Sequence, residues 1–154
     1  MNGLRRRILK LGGGAGALTV AAATGLLTGA AQAAASSRSG FEAKALNEAI
    51  KQLGATNLIE SKDIAITAPD IAENGAVVPI AVTSKIPDTQ SIAILAEKNP
   101  FPLAAMFNVT NGADAYASVR IKMGQTSDVR AIVKAGGKFY TAAKEVKVTV
   151  GGCG

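Results

Sequence analysis

Downstream of Ser61 the chain alternates apolar and polar residues in short bursts, each stopped by Gly, Pro or Asn. Residues 62–68 (KDIAITA) set Ile64 and Ile66 on one face and stop at Pro69. Residues 76–84 (AVVPIAVTS) are β-branched but carry Pro79, whose missing N–H assigns the segment to a sheet edge or a bulge. Residues 90–97 (QSIAILAE) run into Lys98-Asn99-Pro100, and 103–110 (LAAMFNVT) into the turn signal Asn111-Gly112. Residues 115–123 (AYASVRIKM) oppose Val119 and Ile121 to Arg120 and Lys122. Residues 128–134 (DVRAIVK) precede Gly136-Gly137, and 144–150 (KEVKVTV) align Val146, Val148 and Val150. A period of two marks strands with one buried face. Seven of them, spaced by about a dozen residues, predict an antiparallel sandwich with a two-layer core.

A different period precedes the strands. In FEAKALNEAIKQL (41–53), Ala45 or Leu46, Ala49, Ile50 and Leu53 recur at helical spacing, with Glu42, Lys44, Glu48 and Lys51 elsewhere. Gly54 is placed to end this helix, the one helix predicted for the mature chain. Residues 34–40 (AASSRSG), small and polar, read as a disordered lead-in.

The first 33 residues obey neither period. Arg5-Arg6-Arg7-Ile8-Leu9-Lys10 opens an uncharged run from Leu11 to Ala31, followed by the small-x-small site Ala31-Gln32-Ala33. A basic head, an apolar middle and a small-residue exit make a secretory signal. The run is long enough to raise a membrane span, but six glycines from Gly12 to Gly29 dilute it, and cleavage is favoured over a stable membrane anchor. Arg5 and Arg6 with Ile8-Leu9-Lys10 resemble the twin-arginine export pattern, which is read by a receptor and carries folded cargo. An ordinary secretory signal is the competing reading. The expected organisation is a signal over 1–33, a β-domain over 34–150 and a separate segment over 151–154, in a periplasmic protein.

Setting the leader aside changes the charge. The net charge of +6 falls to +2 without Arg5, Arg6, Arg7 and Lys10, so nucleic acid is not implied. Histidine and tryptophan are absent and there is one cysteine, which leaves no His base for a nucleophile and no Cys/His set for zinc. Asp70 and Glu73 lack a companion ligand at metal spacing, and Met1, Met106 and Met123 are scattered, so neither a metal nor another cofactor is expected. The segment from Pro69 to Gly75 reads as a turn with a local cap, and Glu97 to Pro102 as a loop stiffened by two prolines. A catalyst acting alone is excluded; a non-enzymatic role is expected.

One cysteine in an exported chain is unusual, because cysteines in oxidising compartments normally pair. It is Cys153, in Thr149-Val150-Gly151-Gly152-Cys153-Gly154. Glycine lacks a Cβ and visits positive φ freely, so Gly151, Gly152 and Gly154 make a slim, flexible arm. Extended, the three residues from Gly151 to Cys153 span roughly 10 Å. Lys144 and Lys147 are the nearest cations in sequence, and nothing obliges them to face the thiol. The pattern suits a covalent handle entering a confined site. An incidental cysteine at a frayed end, or a disulfide tether joining a structural or adhesive sandwich to a partner, are the alternatives. A lipid anchor fails on position.

The segments PDIAENGAVVPI (69–80), EKNPFPLAAMF (97–107), SVRIKMGQTSDVRAIV (118–133) and KFYTAAKEVKVTVGGCG (138–154) resemble the SoxY family, sulfur carriers of bacterial thiosulfate oxidation. The family tail reads Gly-Gly-Cys-Gly-Gly, whereas a single glycine follows Cys153 here. The resemblance implies an immunoglobulin-like β-sandwich preceded by a helix, paired with a SoxZ-like β-sandwich subunit and exported with it. It implies that Cys153 holds sulfur intermediates covalently. A c-type haem enzyme would join thiosulfate to the thiol, a manganese hydrolase would remove sulfate, and a molybdenum–haem dehydrogenase would oxidise the remaining sulfane sulfur.

Overall fold

Gly54 ends the helix, and it does so by a specific motif. In this computed structural model, helix α1 (Leu46–Gln52) is followed by Leu53 and by Gly54 at φ +75°. The Gly54 N–H donates to Lys51 O (2.9 Å) and the Ala55 N–H to Ile50 O (3.1 Å), the paired bonds of a Schellman cap. The structure describes residues 38–110 and 112–150. The leader with Arg5 and Arg6, and the segment Gly151, Gly152, Cys153 and Gly154, lie outside the described residues. The expected helix over 41–53 proves interrupted: residues 38–42 are helical, 43–45 are not, and Ala45 enters α1 with extended backbone angles. Ala43, 2% exposed, turns inward at the break.

Nine strands follow among the described residues: β1 (Leu58–Glu60), β2 (Ile64–Thr67), β3 (Ile71–Ala72), β4 (Val78–Ser84), β5 (Thr89–Ala96), β6 (Leu103–Asn108), β7 (Tyr116–Ile121), β8 (Ser127–Ala135) and β9 (Lys138–Val148). One sheet has the order β1-β9-β8-β5-β6, with β3 also on β9; the other is β2-β4-β7. The expected mainly-β, immunoglobulin-like sandwich is what the chain forms. The long pairings, β5 with β6 and β8, β8 with β9, and β4 with β2 and β7, are all antiparallel. The short β1 and β3 attach to β9 in parallel.

The core sits between the two sheets. Val78, Ile80 and Val82 from β4 meet Ile92, Ile94, Val129, Ala131, Val133 and Val146 from the larger sheet, all of them buried. The larger sheet is also covered on its other face. Ala93, Leu95 and Ile132 pack there against Ala49 of α1 and Leu103. Helix, large sheet and small sheet therefore stack as three layers, one more than the alternation implies.

Two local departures have clear causes. Strand β9 begins at Lys138, opposite Ala135, rather than near residue 144; its first half shows no alternation because Tyr140 and Ala142 face the inter-sheet core while Phe139 packs on the helical side. Gly136 (φ +54°) and Gly137 (φ +75°) both take left-handed angles and close β8 onto β9 as a two-residue hairpin, with Ala135 opposite Lys138. Pro79 lies in β4, the middle strand of its sheet, yet β2 pairs with β4 only from Ala81 to Ser84. At Pro79 the sole neighbour is Arg120 of β7, so the proline occupies a locally unpaired edge.

Candidate functional site: the root of the C-terminal segment

Cys153 and its glycines lie outside the described residues, but the residues before them are described together with what holds them. Pairing of β9 with β8 ends at Val146, opposite Ser127. From there to Val150 the chain is held by two other segments. On one side is the loop from Pro69 to Val77, which contains β3. Ile71 pairs with Lys147 and Ala72 with Val148. The Lys147 N–H donates to Asp70 O (3.0 Å) and the Thr149 N–H to Ala72 O (3.1 Å). The Gly75 N–H donates to Val150 O at 2.7 Å, and the Thr149 hydroxyl to Glu73 O at 3.1 Å. On the other side the Thr126 hydroxyl accepts from the Val148 N–H at 2.9 Å and reaches Val148 O at 3.5 Å.

These two segments are themselves tied together. Gly75 O accepts from the N–H of Met123, whose side chain is fully buried in the core. The Asn99 amide bridges the next loop, donating to Lys122 O (2.7 Å) and accepting from the Gly124 N–H (3.1 Å). Gln125 Nε2 donates to Lys98 O at 3.4 Å. Glu97, at the start of that loop, pairs with Arg130 of β8 at 2.6 Å, with both side chains about four-fifths buried. The loops after β3, β5 and β7 are thus linked to one another beside residues 147–150. The expected cap at 69–75 is present, since Asn74 Oδ1 accepts from the Ala76 N–H at 2.8 Å. The loop's larger role, holding residues 147–150, carries no signature in sequence because nearly all of it is made by backbone groups.

The chemistry at this root is sparse. Lys144, one of the two cations nearest Cys153 in sequence, is committed to Ala68 O (2.7 Å) and Asp70 (3.0 Å). Ile71 and Val77 of the Pro69–Val77 loop, and Val150 itself, are more than half exposed. Among the described residues no group of His, Cys, Asp or Glu could hold a metal ion, and no helix is long and apolar enough to cross a membrane. A polar recess between β1 and β9, lined by Glu60, Lys62, Arg130 and Thr141, presents a guanidinium already paired with Glu97.

Comparison with known proteins decides the family. Residues 50–153 match the family of the sulfur oxidation protein SoxY. The chain belongs to the SoxY family. The structure of the sulfur carrier protein SoxY from Chlorobium limicola f thiosulfatophilum is similar at 41% sequence identity and a TM-score of 0.60, covering 68% of this chain and 96% of that one. A superoxide reductase (neelaredoxin) from Ignicoccus hospitalis aligns at 20% identity and a TM-score of 0.49, covering 68% of this chain and 90% of that one. No curated protein matches. The SoxY match ends at Cys153 itself and takes in the whole of β1 to β9.

Proposed function

We propose that this protein is a covalent, non-catalytic carrier of sulfur intermediates in periplasmic thiosulfate oxidation, with Cys153 as the attachment point and Gly151, Gly152 and Gly154 as the arm around it. The observation that carries the reading is that the SoxY match runs past the last strand and reaches Cys153, the one cysteine of the chain. The absence of histidine supports a passive role, because a thiol without a base is a handle and not a hydrolytic nucleophile. In the first step the cysteine sulfur bonds to the outer sulfur of thiosulfate. The thiol proton goes to solvent and two electrons go to the c-type haem enzyme. Hydrolysis by the manganese enzyme then releases sulfate and leaves the sulfane sulfur on Cys153. The molybdenum–haem dehydrogenase would then take electrons from that sulfur, water supplying the oxygens of the resulting sulfonate and the protons going to solvent, and a further hydrolysis would release sulfate and free the thiol.

A SoxZ-like subunit is the proposed permanent partner, exported with this chain through the Arg5-Arg6 signal. Strands β1, β6, β2 and β7 end their sheets without a neighbour among the described residues, which leaves edges for another chain to cover. The mature chain alone should self-associate, and co-expression with such a subunit should give a soluble heterodimer.

Intact mass after incubation with thiosulfate and the haem enzyme tests the carrier. One adduct per chain, lost in Cys153→Ser, is the expected result. Adducts that persist in Cys153→Ser, or only protein–protein disulfides through Cys153, would replace the carrier with another site or with a tether.

A further inference from the structure

The residues that hold 147–150 form a distinct device. Strand β9 pairs with β8 as far as Val146; beyond it, Val148 is bonded by segments on both sides, and Thr149 and Val150 by the Pro69–Val77 loop. On one side stands a two-residue strand, β3, whose loop is fastened to the core through Met123. On the other stands one hydroxyl, Thr126, half-buried and bonded to both polar backbone atoms of Val148. The last bond of the series, from Gly75 to the carbonyl of Val150, is also its shortest to the loop at 2.7 Å.

We propose that the Pro69–Val77 loop and Thr126 form a clamp that sets the reach of the carrier arm, with Thr126 and Gly75 as positioning residues. The inference rests on the carrier reading for its functional part and on the geometry alone for its structural part. With the clamp closed, Val150 is the last described residue it holds, and Cys153 is three residues further along the sequence, at most roughly 10 Å of extended chain. With the clamp open, the last residue held by sheet pairing is Val146, and Cys153 is seven residues further along the sequence, at most roughly 24 Å of extended chain. A short tether keeps the thiol at high local concentration near the docked surface, and a longer one dilutes it over a larger volume. The clamp therefore fixes how deep a channel the thiol can enter while the sandwich stays outside. It also fixes the direction from which the thiol approaches.

The test uses the mature chain with its partner subunit and the variant Thr126→Val, which keeps the branched shape and removes the hydroxyl. Amide exchange is followed at Thr149 and Gly75, whose N–H groups bond within the clamp but not to Thr126, with Ile132 of the sheet interior as the control. The expected result is exchange about tenfold faster at Thr149 and Gly75, the usual cost of one missing hydrogen bond, and no change at Ile132. Loading with thiosulfate by the haem enzyme should slow several-fold, while alkylation of Cys153 by iodoacetamide keeps its rate. Thr126→Ser should restore both exchange and loading. Thr149→Val, which loses only the bond to Glu73, should act in the same direction. Unchanged exchange at Thr149 and Gly75 would overturn the clamp. Faster exchange with normal loading would overturn its control of reach. Normal loading of Cys153→Ser would sink the carrier reading and leave the exchange result standing.

Discussion

Asn99 joins two of the three loops at the root of the C-terminal segment, and replacing it with alanine isolates that link. The side chain makes two bonds, one donated to Lys122 O at 2.7 Å and one accepted from the Gly124 N–H at 3.1 Å. A hydrogen bond contributes about 1 kcal/mol net, and less where water can take its place. Lys122 and Gly124 are exposed, so the low end applies and the pair together should contribute about 1 kcal/mol. In urea, with a slope of about 2 kcal/mol per molar, that loss lowers the midpoint by about 0.5 M with the slope unchanged. Asn99→Asp supplies a second reading of the same geometry. It keeps the acceptor for Gly124 but aims a carboxylate at the carbonyl of Lys122, so it should destabilise at least as much as alanine. Because the 122–126 loop carries Thr126, amide exchange should quicken at Gly124 and Val148 before the sheet interior changes. Midpoints for both variants within about 0.1 M of the parent would refute the argument that this amide fastens the loops.

Further outcomes follow from the core, the arm and the leader. Ile94→Ala empties a fully buried position between the sheets and should cost about 2–5 kcal/mol, measured by denaturant titration. Gly152→Val keeps the thiol but stiffens and thickens the arm, so Cys153 should alkylate normally yet load poorly; full thiosulfate oxidation by this variant would remove the need for a slim arm. Arg5→Lys combined with Arg6→Lys preserves charge and loses the export pattern, so fractionation should find the protein retained in the cytoplasm. Unchanged periplasmic amounts would assign it to the ordinary secretory route.

The elements that were legible in sequence are those with one wet face. Strands β4 and β7 alternate because one side of each faces the core and the other faces water, as the burial of Val78, Ile80 and Val82 against exposed Pro79 and Thr83 demonstrates. The end of α1 was legible because only glycine sits comfortably at φ +75°. What stayed hidden did so for two physical reasons. From Phe139 to Ala142, β9 is at least partly covered on both faces, so these residues have no period to read. Strands β1 and β3 are three and two residues long, too short for any period, and both exist only because β9 lies alongside them. At the root of the arm the limit is different in kind. Cys153 stands out by composition alone, whereas the groups that hold 147–150 are carbonyls and amides that every residue possesses.

That difference bears on how this protein divides its labour. Stability resides in an apolar interior that ends with Val146 and Val148, packed against the core, while the residues after them contribute no buried side chain among those described. On the proposed carrier reading, chemistry at Cys153 would leave the sandwich unstrained, because no buried side chain lies between Val148 and the end of the described residues. The connection between the two is a short run of hydrogen bonds whose register depends on the spacing from Ala72 to Gly75 and from Met123 to Thr126, not on the identity of most side chains there. Asp70 and Glu73 offer backbone oxygens that other residues would offer equally. An inserted residue in either loop would shift every donor past its acceptor. In this fold the length of those loops sets the register, and of their side chains only a few, Thr126 and Asn74 among them, make bonds that other residues would not.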